Sequence, residues 1–277
     1  MKRLIIIISS IIWVCHLMAQ IVEPKEDAVL EVQYTKKWSI DTITGKYYVD
    51  SPMILRIGET SSMFYPVKRM RIDSLNYYED HAGSDLILDG MLKGINPTKI
   101  SGWEEEYLFR NVTDNETFVC KRYSIYHIGY KETTELPQWT IHPDSIRQIL
   151  GYECIYATTT FHGRDWEAWF TPELPYNEGP WKLAGLPGVV LSAQDSRGQY
   201  LYEASAIRDG HPHKVGIFIY ESRPLELLKS REDYLRSVYY LQLKRKAQNL
   251  VSLYTDFKTL PTDEAPLYDL QEIDFPH

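Results

Sequence analysis

The segment from Tyr152 to Thr171 constrains the fold more than any other part of the chain. Two runs rich in aromatic and β-branched residues, Tyr152 to Phe161 and Trp166 to Thr171, flank His162-Gly163-Arg164-Asp165. Such side chains suit a half-buried pleated surface, and a short glycine-containing break between two such runs makes a hairpin. With Gly163-Arg164 as a two-residue turn, Phe161 opposes Trp166, Thr159 opposes Ala168, and Ala157 opposes Phe170. One face is then largely apolar, while Cys154, Tyr156 and Thr158 point to the other. This alternation is that of an antiparallel pair with one face on a core.

The same pattern recurs along the chain. Ala28 to Trp38, Pro52 to Ile57, Ser62 to Tyr65, Glu106 to Arg110, Thr117 to Ile128 and Tyr130 to Leu136 read as strands. So do Val189 to Gln194, Gln199 to Arg208 and Val215 to Tyr220, with turns at Asp195-Ser196-Arg197-Gly198 and Asp209-Gly210. The 21 tyrosines fit a sheet better than a bundle. Met70, Ile72, Leu75 and Tyr78 change the period and predict a short amphipathic helix near residues 67–80. Asp85 to Gly102 is rich in turn residues, and Pro143 to Leu150 suggests one or two helical turns capped by Thr140 or His142. A longer helix is expected from Arg231 to Asn249, with Pro224 near its start and Lys244, Arg245 and Lys246 where the macrodipole favours cations. Runs of strands without βα alternation imply an α+β, mostly β fold: one antiparallel, curved sheet of about eight or more strands with a C-terminal helix.

The N-terminus carries an address. Lys2 and Arg3 precede an apolar run from Leu4 to Val14, and Leu17-Met18-Ala19 precedes Gln20. This is the three-part order of a secretory signal peptide, with cleavage after residue 19. The run is shorter than the roughly 20 residues a spanning helix needs. Lipidation at Cys15 fits poorly, because Trp13 and Val14 are bulky where small residues are required. Residues 20–277 are expected to form a single domain, with 261–277 an extended, acidic tail. The formal charge of -8 offers no basic face, so nucleic acid is not an expected partner, and membrane association is expected only indirectly. Cys120 and Cys154 remain after cleavage. In an oxidising compartment they close a loop of about 35 residues, a bridge worth roughly 3–4 kcal/mol; the alternative is two buried thiols.

The segment Gly179-Pro180-Trp181-Lys182-Leu183-Ala184-Gly185-Leu186-Pro187-Gly188-Val189-Val190 is distinctive. Upstream stand Gly151-Tyr152-Glu153-Cys154, Phe161-His162-Gly163-Arg164 and Ala168-Trp169-Phe170-Thr171-Pro172. From Gly151 to Asp195 the chain resembles the GLPGLI family of secreted Bacteroidota proteins, with Val189-Val190 replacing Leu-Ile. The resemblance implies export to the cell envelope and a shared β-rich fold; it implies no reaction and carries over no catalytic residue. Physically, Gly185 and Gly188 let the backbone bend on either side of Leu186-Pro187, and Trp181 is a large anchor. Either this loop locks a hairpin to the core, or Trp181, Gly185, Leu186, Pro187 and Gly188 form a recognition loop.

Catalytic motifs are weak. The mature chain lacks G-x-S-x-G, H-E-x-x-H, a phosphate-binding glycine loop and C-x-x-C. His211-Pro212-His213 falls short of the three or four ligands a metal needs, and no metal or cofactor is expected. The Glu104-Glu105-Glu106 run reads as a solvated edge. Two functions remain: a non-enzymatic accessory protein binding an envelope partner or an apolar small ligand, or a secreted hydrolase built on His162, Arg164, Asp165 and Cys154, with Cys154 paired to His162 or His127.

Overall fold

The computed structural model describes residues 24, 26–39, 48–79, 81–96, 99–100, 106–123, 126–218, 225–241 and 271–274. The expected signal peptide, Glu104-Glu105, the helical run beyond residue 241 and most of the expected tail lie outside them. Among the described residues no helix is long and apolar enough to cross a membrane.

The strands are β1 (Glu26–Asp27), β2 (Leu30–Ser39), β3 (Tyr48–Ile57), β4 (Ser61–Pro66), β5 (Glu106–Asn111), β6 (Glu116–Tyr123) and β7 (Tyr126–Thr133). They continue with β8 (Thr140–Ile149), β9 (Tyr152–Phe161), β10 (Arg164–Thr171), β11 (Val189–Asp195), β12 (Tyr200–Asp209), β13 (Lys214–Val215) and β14 (Leu225–Leu227). Twelve of them form one open sheet in the order β14-β7-β6-β5-β4-β3-β2-β12-β11-β10-β9-β8. Every pairing in it is antiparallel except β14 with β7, and β1 pairs separately with β13. The expected β-rich, antiparallel architecture is therefore present. Two helices, α1 (Val67–Tyr78) and α2 (Ala82–Leu92), follow β4, and residues 231–241 form the helix expected late in the chain.

The centre of the sheet is covered on both faces. Leu55, Phe64, Leu108 and Val119 join one apolar cluster with Trp166, Trp181, Leu186 and Tyr234. Ile54, Met63, Tyr65, Tyr107, Phe118 and Cys120 point the other way into a second cluster, on which Val67, Met70 and Tyr77 pack. Hence β4 is buried at every position. At the far end β8 is intermediate or exposed throughout.

Several local expectations are corrected. The β9–β10 turn is His162-Gly163, both in the left-handed region (φ 50° and 79°), not Gly163-Arg164. Arg164 then opposes Phe161, Trp166 opposes Thr159, and Ala168 opposes Ala157. The register moves by two residues, so the apolar face is unchanged. α1 exists, but its buried face is Arg69, Ile72, Asp73 and Asn76, while Tyr78 is exposed. Arg69 and Asp73 pair at 2.7 Å, and the Tyr65 hydroxyl donates to Asp73 at 2.8 Å, so a satisfied ion pair replaces the expected apolar stripe. Part of the turn-rich stretch after residue 80 is α2. Its buried positions are Gly83 and Gly90, and a Cβ at Gly83 would lie 2.2 Å from the Ile72 carbonyl oxygen. Glycine lowers helix propensity but permits this close helix contact. Pro143 sits in edge strand β8 rather than at a helix start, inside a register shift between His142 and Ile146 that accommodates it. Leu225–Leu227 is a short strand where a helix start near Pro224 was expected.

Candidate functional site

The hairpin turn brings a polar cluster together inside the protein. His162 and Gly163 adopt the positive-φ pair that matches the strand twist, which turns the His162 ring inward to 5 % exposure. The ring lies against Phe161 and Trp181 at centroid distances of 3.9 and 6.0 Å. Its Nδ1 is 3.3 Å from Asp274 and its Nε2 is 3.8 Å from Glu272. Lys182 of the distinctive loop pairs with Glu272 at 2.9 Å and Glu132 at 2.7 Å, and donates to the Tyr130 hydroxyl at 2.8 Å. Arg231, at the start of the late helix, pairs with both Glu272 and Asp274. Next to this cluster, Arg164 is buried against Asp195 at 2.7 Å and Gln199 at 2.6 Å, with its guanidinium over the Tyr200 ring. Asp195 also accepts the backbone N–H groups of Gln199 and Tyr200, both at 2.8 Å.

Burial holds the His162 imidazole below its ordinary value against the pull of Glu272, so the ring is neutral near pH 7. Burial would raise the Glu272 carboxyl, but Lys182, His162 and Arg231 outweigh it and hold the group below the usual range. Asp274 follows the same logic, held down by Arg231 and His162 against burial.

His162, Glu272 and Asp274 offer ligand atoms within 4.8 Å of one another, a spacing a metal ion uses. The donor set does not fit one. The two ring nitrogens face different carboxylates, while Lys182 and Arg231 already occupy both Glu272 oxygens and one of Asp274. The chemistry is that of an ion-pair network.

The distinctive loop is mostly core. Trp181, Leu183, Ala184 and Leu186 are 3 % exposed or less, whereas Gly185 and Pro187 reach solvent. Trp181 takes φ 54°, a left-handed conformation uncommon for a bulky residue, and its ring packs 5.6 Å from that of Trp166. The loop is tied down by Gly185 N–H to Asn177 O at 3.0 Å, Trp139 Nε1 to Ala184 O at 2.9 Å and the Tyr34 hydroxyl to Val190 O at 2.6 Å. Behind it Arg110 and Glu178 pair at 2.6 Å, and burial raises the Glu178 carboxyl. The cavity between them, Phe64 and Trp181 has room for about one water molecule.

The residues considered for a hydrolase do not converge. Asp165 is exposed and accepts from Thr160, while Arg164 is buried and bound to Asp195. Cys154 lies at the opposite end of β9 from His162, about 26 Å along the strand. His127 is buried on β7, nine places from β9 in the strand order, so it does not meet Cys154 either. Cys120 and Cys154 are free thiols in strands eight places apart in the sheet, so the bridge left open by the sequence is not made. Burial pushes the Cys154 thiol up to about 11 and Cys120 higher still. Neither thiol is therefore expected to react with iodoacetamide at pH 8 in the folded protein, and both are expected to react in guanidinium. Intact mass measures this directly, and a melting temperature lowered by dithiothreitol would contradict it.

The open sheet has a second notable feature at β8. The inner apolar row continues beyond the core: Ile146 opposes Ile155 and Ile141 opposes Ala157. Ile146 is 52 % and Ile141 40 % exposed, with Leu136 and Leu150 exposed nearby.

Lys182, Arg231, Glu272 and Asp274 were missed at the level of sequence. The one signal was Lys182, a lone cation within the apolar run around Trp181 and Leu183.

A family model described as "Protein of unknown function (Porph_ging)" matches residues 159–192, the β9–β10 turn through most of β11. That name covers GLPGLI-type proteins, so the match falls on the residues that carry the resemblance. No curated protein matches the chain. Among solved structures it is similar to PNGF-II in two crystal forms, at 16 % identity over 73 % of this chain, with TM-scores of 0.46 (P21) and 0.47 (C2). The chain spans about a third of the length of those structures, 32 % and 31 % respectively.

Proposed function

We propose that this is an exported, non-enzymatic accessory protein of the cell envelope that binds an extended segment of a partner protein at the β8 edge. The observation that carries this reading is the unfinished apolar row at Ile141 and Ile146. An edge strand offers unpaired backbone N–H and C=O groups, and an added strand satisfies them. Here it would also cover two isoleucines that extend the inner layer of the sheet one strand past its cover. The N-terminal signal and the family resemblance support the envelope setting.

The test is a photo-crosslinking residue placed at position 146 in the native host, with Leu88 on α2 as the control position. A discrete adduct at 146 and none at 88 is expected, and Ile141→Lys/Ile146→Lys should reduce partner recovery by about tenfold or more, since edge lysines block strand addition. Because both side chains are substantially exposed, the melting temperature should barely move. Equal crosslinking at both positions, or full recovery with the lysine pair, would remove the proposal.

A further inference from the structure

We propose that the groove between the β9–β10 turn, the Trp181 loop and the helix at 231–241 is a recognition site for acidic, extended peptide segments, and that Gln271–Asp274 is its tethered occupant. Every described residue of that segment except the Ile273 side chain is read by a polar group. The Gln271 side-chain amide exchanges two hydrogen bonds with the Tyr202 hydroxyl, at 2.9 and 2.7 Å. The Gln271 carbonyl accepts from Arg164 Nε at 3.0 Å. Glu272 is held by Lys182 and Arg231, the Ile273 N–H donates to the His162 carbonyl at 3.1 Å, and Asp274 meets Arg231 and His162. Backbone contacts fix the position of the segment, and side-chain contacts select its acidic residues. This division of labour is that of peptide recognition.

The groove is built independently of its occupant. Arg164 is fixed by Asp195 and Gln199, and Lys182 by Glu132 and Tyr130. Two of the cations therefore have partners on the sheet that keep them in place when the segment leaves, which lowers the ordering cost of binding. The floor is shaped for a backbone. A Cβ at Gly163 would lie 2.7 Å from the Ile273 side chain and 3.1 Å from the Asp274 nitrogen. Glycine there serves the left-handed turn and the close approach of the segment together.

A tethered occupant competes at an effective concentration in the millimolar range, so added peptide enters only once the tether is weakened. The experiment uses the full chain carrying Glu272→Ala/Asp274→Ala and a fluorescent peptide with the sequence of residues 268–277. Anisotropy should show saturable binding to the double variant, at least tenfold weaker binding to the unmodified chain, and tenfold or greater loss when Lys182→Ala is added. A peptide with alanine at the positions of Glu272 and Asp274 should not bind, and raised salt should weaken the acidic one. Asp274→Ala alone, which keeps the Glu272 pairs, serves as a second background should the double variant unfold. Absence of saturable binding to a variant that still unfolds cooperatively would overturn the proposal, as would equal binding of the alanine peptide.

Discussion

Gly188→Ala is expected to destabilise the protein by about 4 kcal/mol, the sum of backbone strain and overpacking. Gly188 has φ 151°, in a region that glycine adopts and side-chain-bearing residues avoid. A Cβ there would stand 2.1 Å from the Thr171 carbonyl oxygen, 2.6 Å from its carbon and 3.0 Å from Pro172 Cα. All three are backbone atoms, so no rotamer change relieves the clash. Either the end of β10 moves or the loop does, and the loop holds Leu186 and Trp181 in the core. Gly185 supplies the contrast. It also has positive φ (94°), but its nearest neighbours are Leu136 side-chain atoms at 3.5 Å and beyond. Gly185→Ala should therefore cost only the local conformational penalty, about 1–2 kcal/mol. In thermal melts the first variant should fall by roughly 10 °C and the second by a few degrees. Equal losses would mean that the close packing against Thr171 does not hold this loop.

Arg164→Met is expected to cost about 3–5 kcal/mol, because it leaves the Asp195 carboxylate buried without its cation. The Asp195 side chain has no exposed surface and that of Arg164 has 1 %, so water cannot replace the guanidinium. The substitution also strips a hydrogen bond from the Gln271 carbonyl. Arg164→Met/Asp195→Asn removes both charges while leaving an amide oxygen for the Gln199 and Tyr200 N–H groups. Most of the loss should then be recovered, since an apolar replacement for a buried pair is often nearly neutral. Guanidinium unfolding of the two single variants and the double variant closes a thermodynamic cycle. Additive losses would show that Arg164 and Asp195 act separately.

These two residues illustrate what was readable in advance. Alternation in Tyr152–Phe161 and Trp166–Thr171 placed Ala157, Phe161, Trp166, Ala168 and Phe170 on one face, and the structure buries all five. A two-residue error in the turn left that face intact because strand parity has period two. Gly188 was legible as a backbone position, though not its clash with Thr171. Helix patterning failed where burial is polar or glycine-based, as with Arg69–Asp73 in α1 and Gly83 in α2. Strand β8 was missed because Pro143 resembles a helix start unless its place at a bulged sheet edge is known.

The sequence by itself determined the strand content, the apolar face of the hairpin and the places where glycine is required, because each follows from local sterics and short-range periodicity. Only the tertiary structure decided that Cys120 and Cys154 stay apart, that Lys182 faces Glu132 and Glu272, and that His162 meets Asp274 across 112 residues. Such pairings depend on strand order and on which segment closes over the sheet. Burial then sets their strength, and neither strand order nor burial has a local signature in the chain.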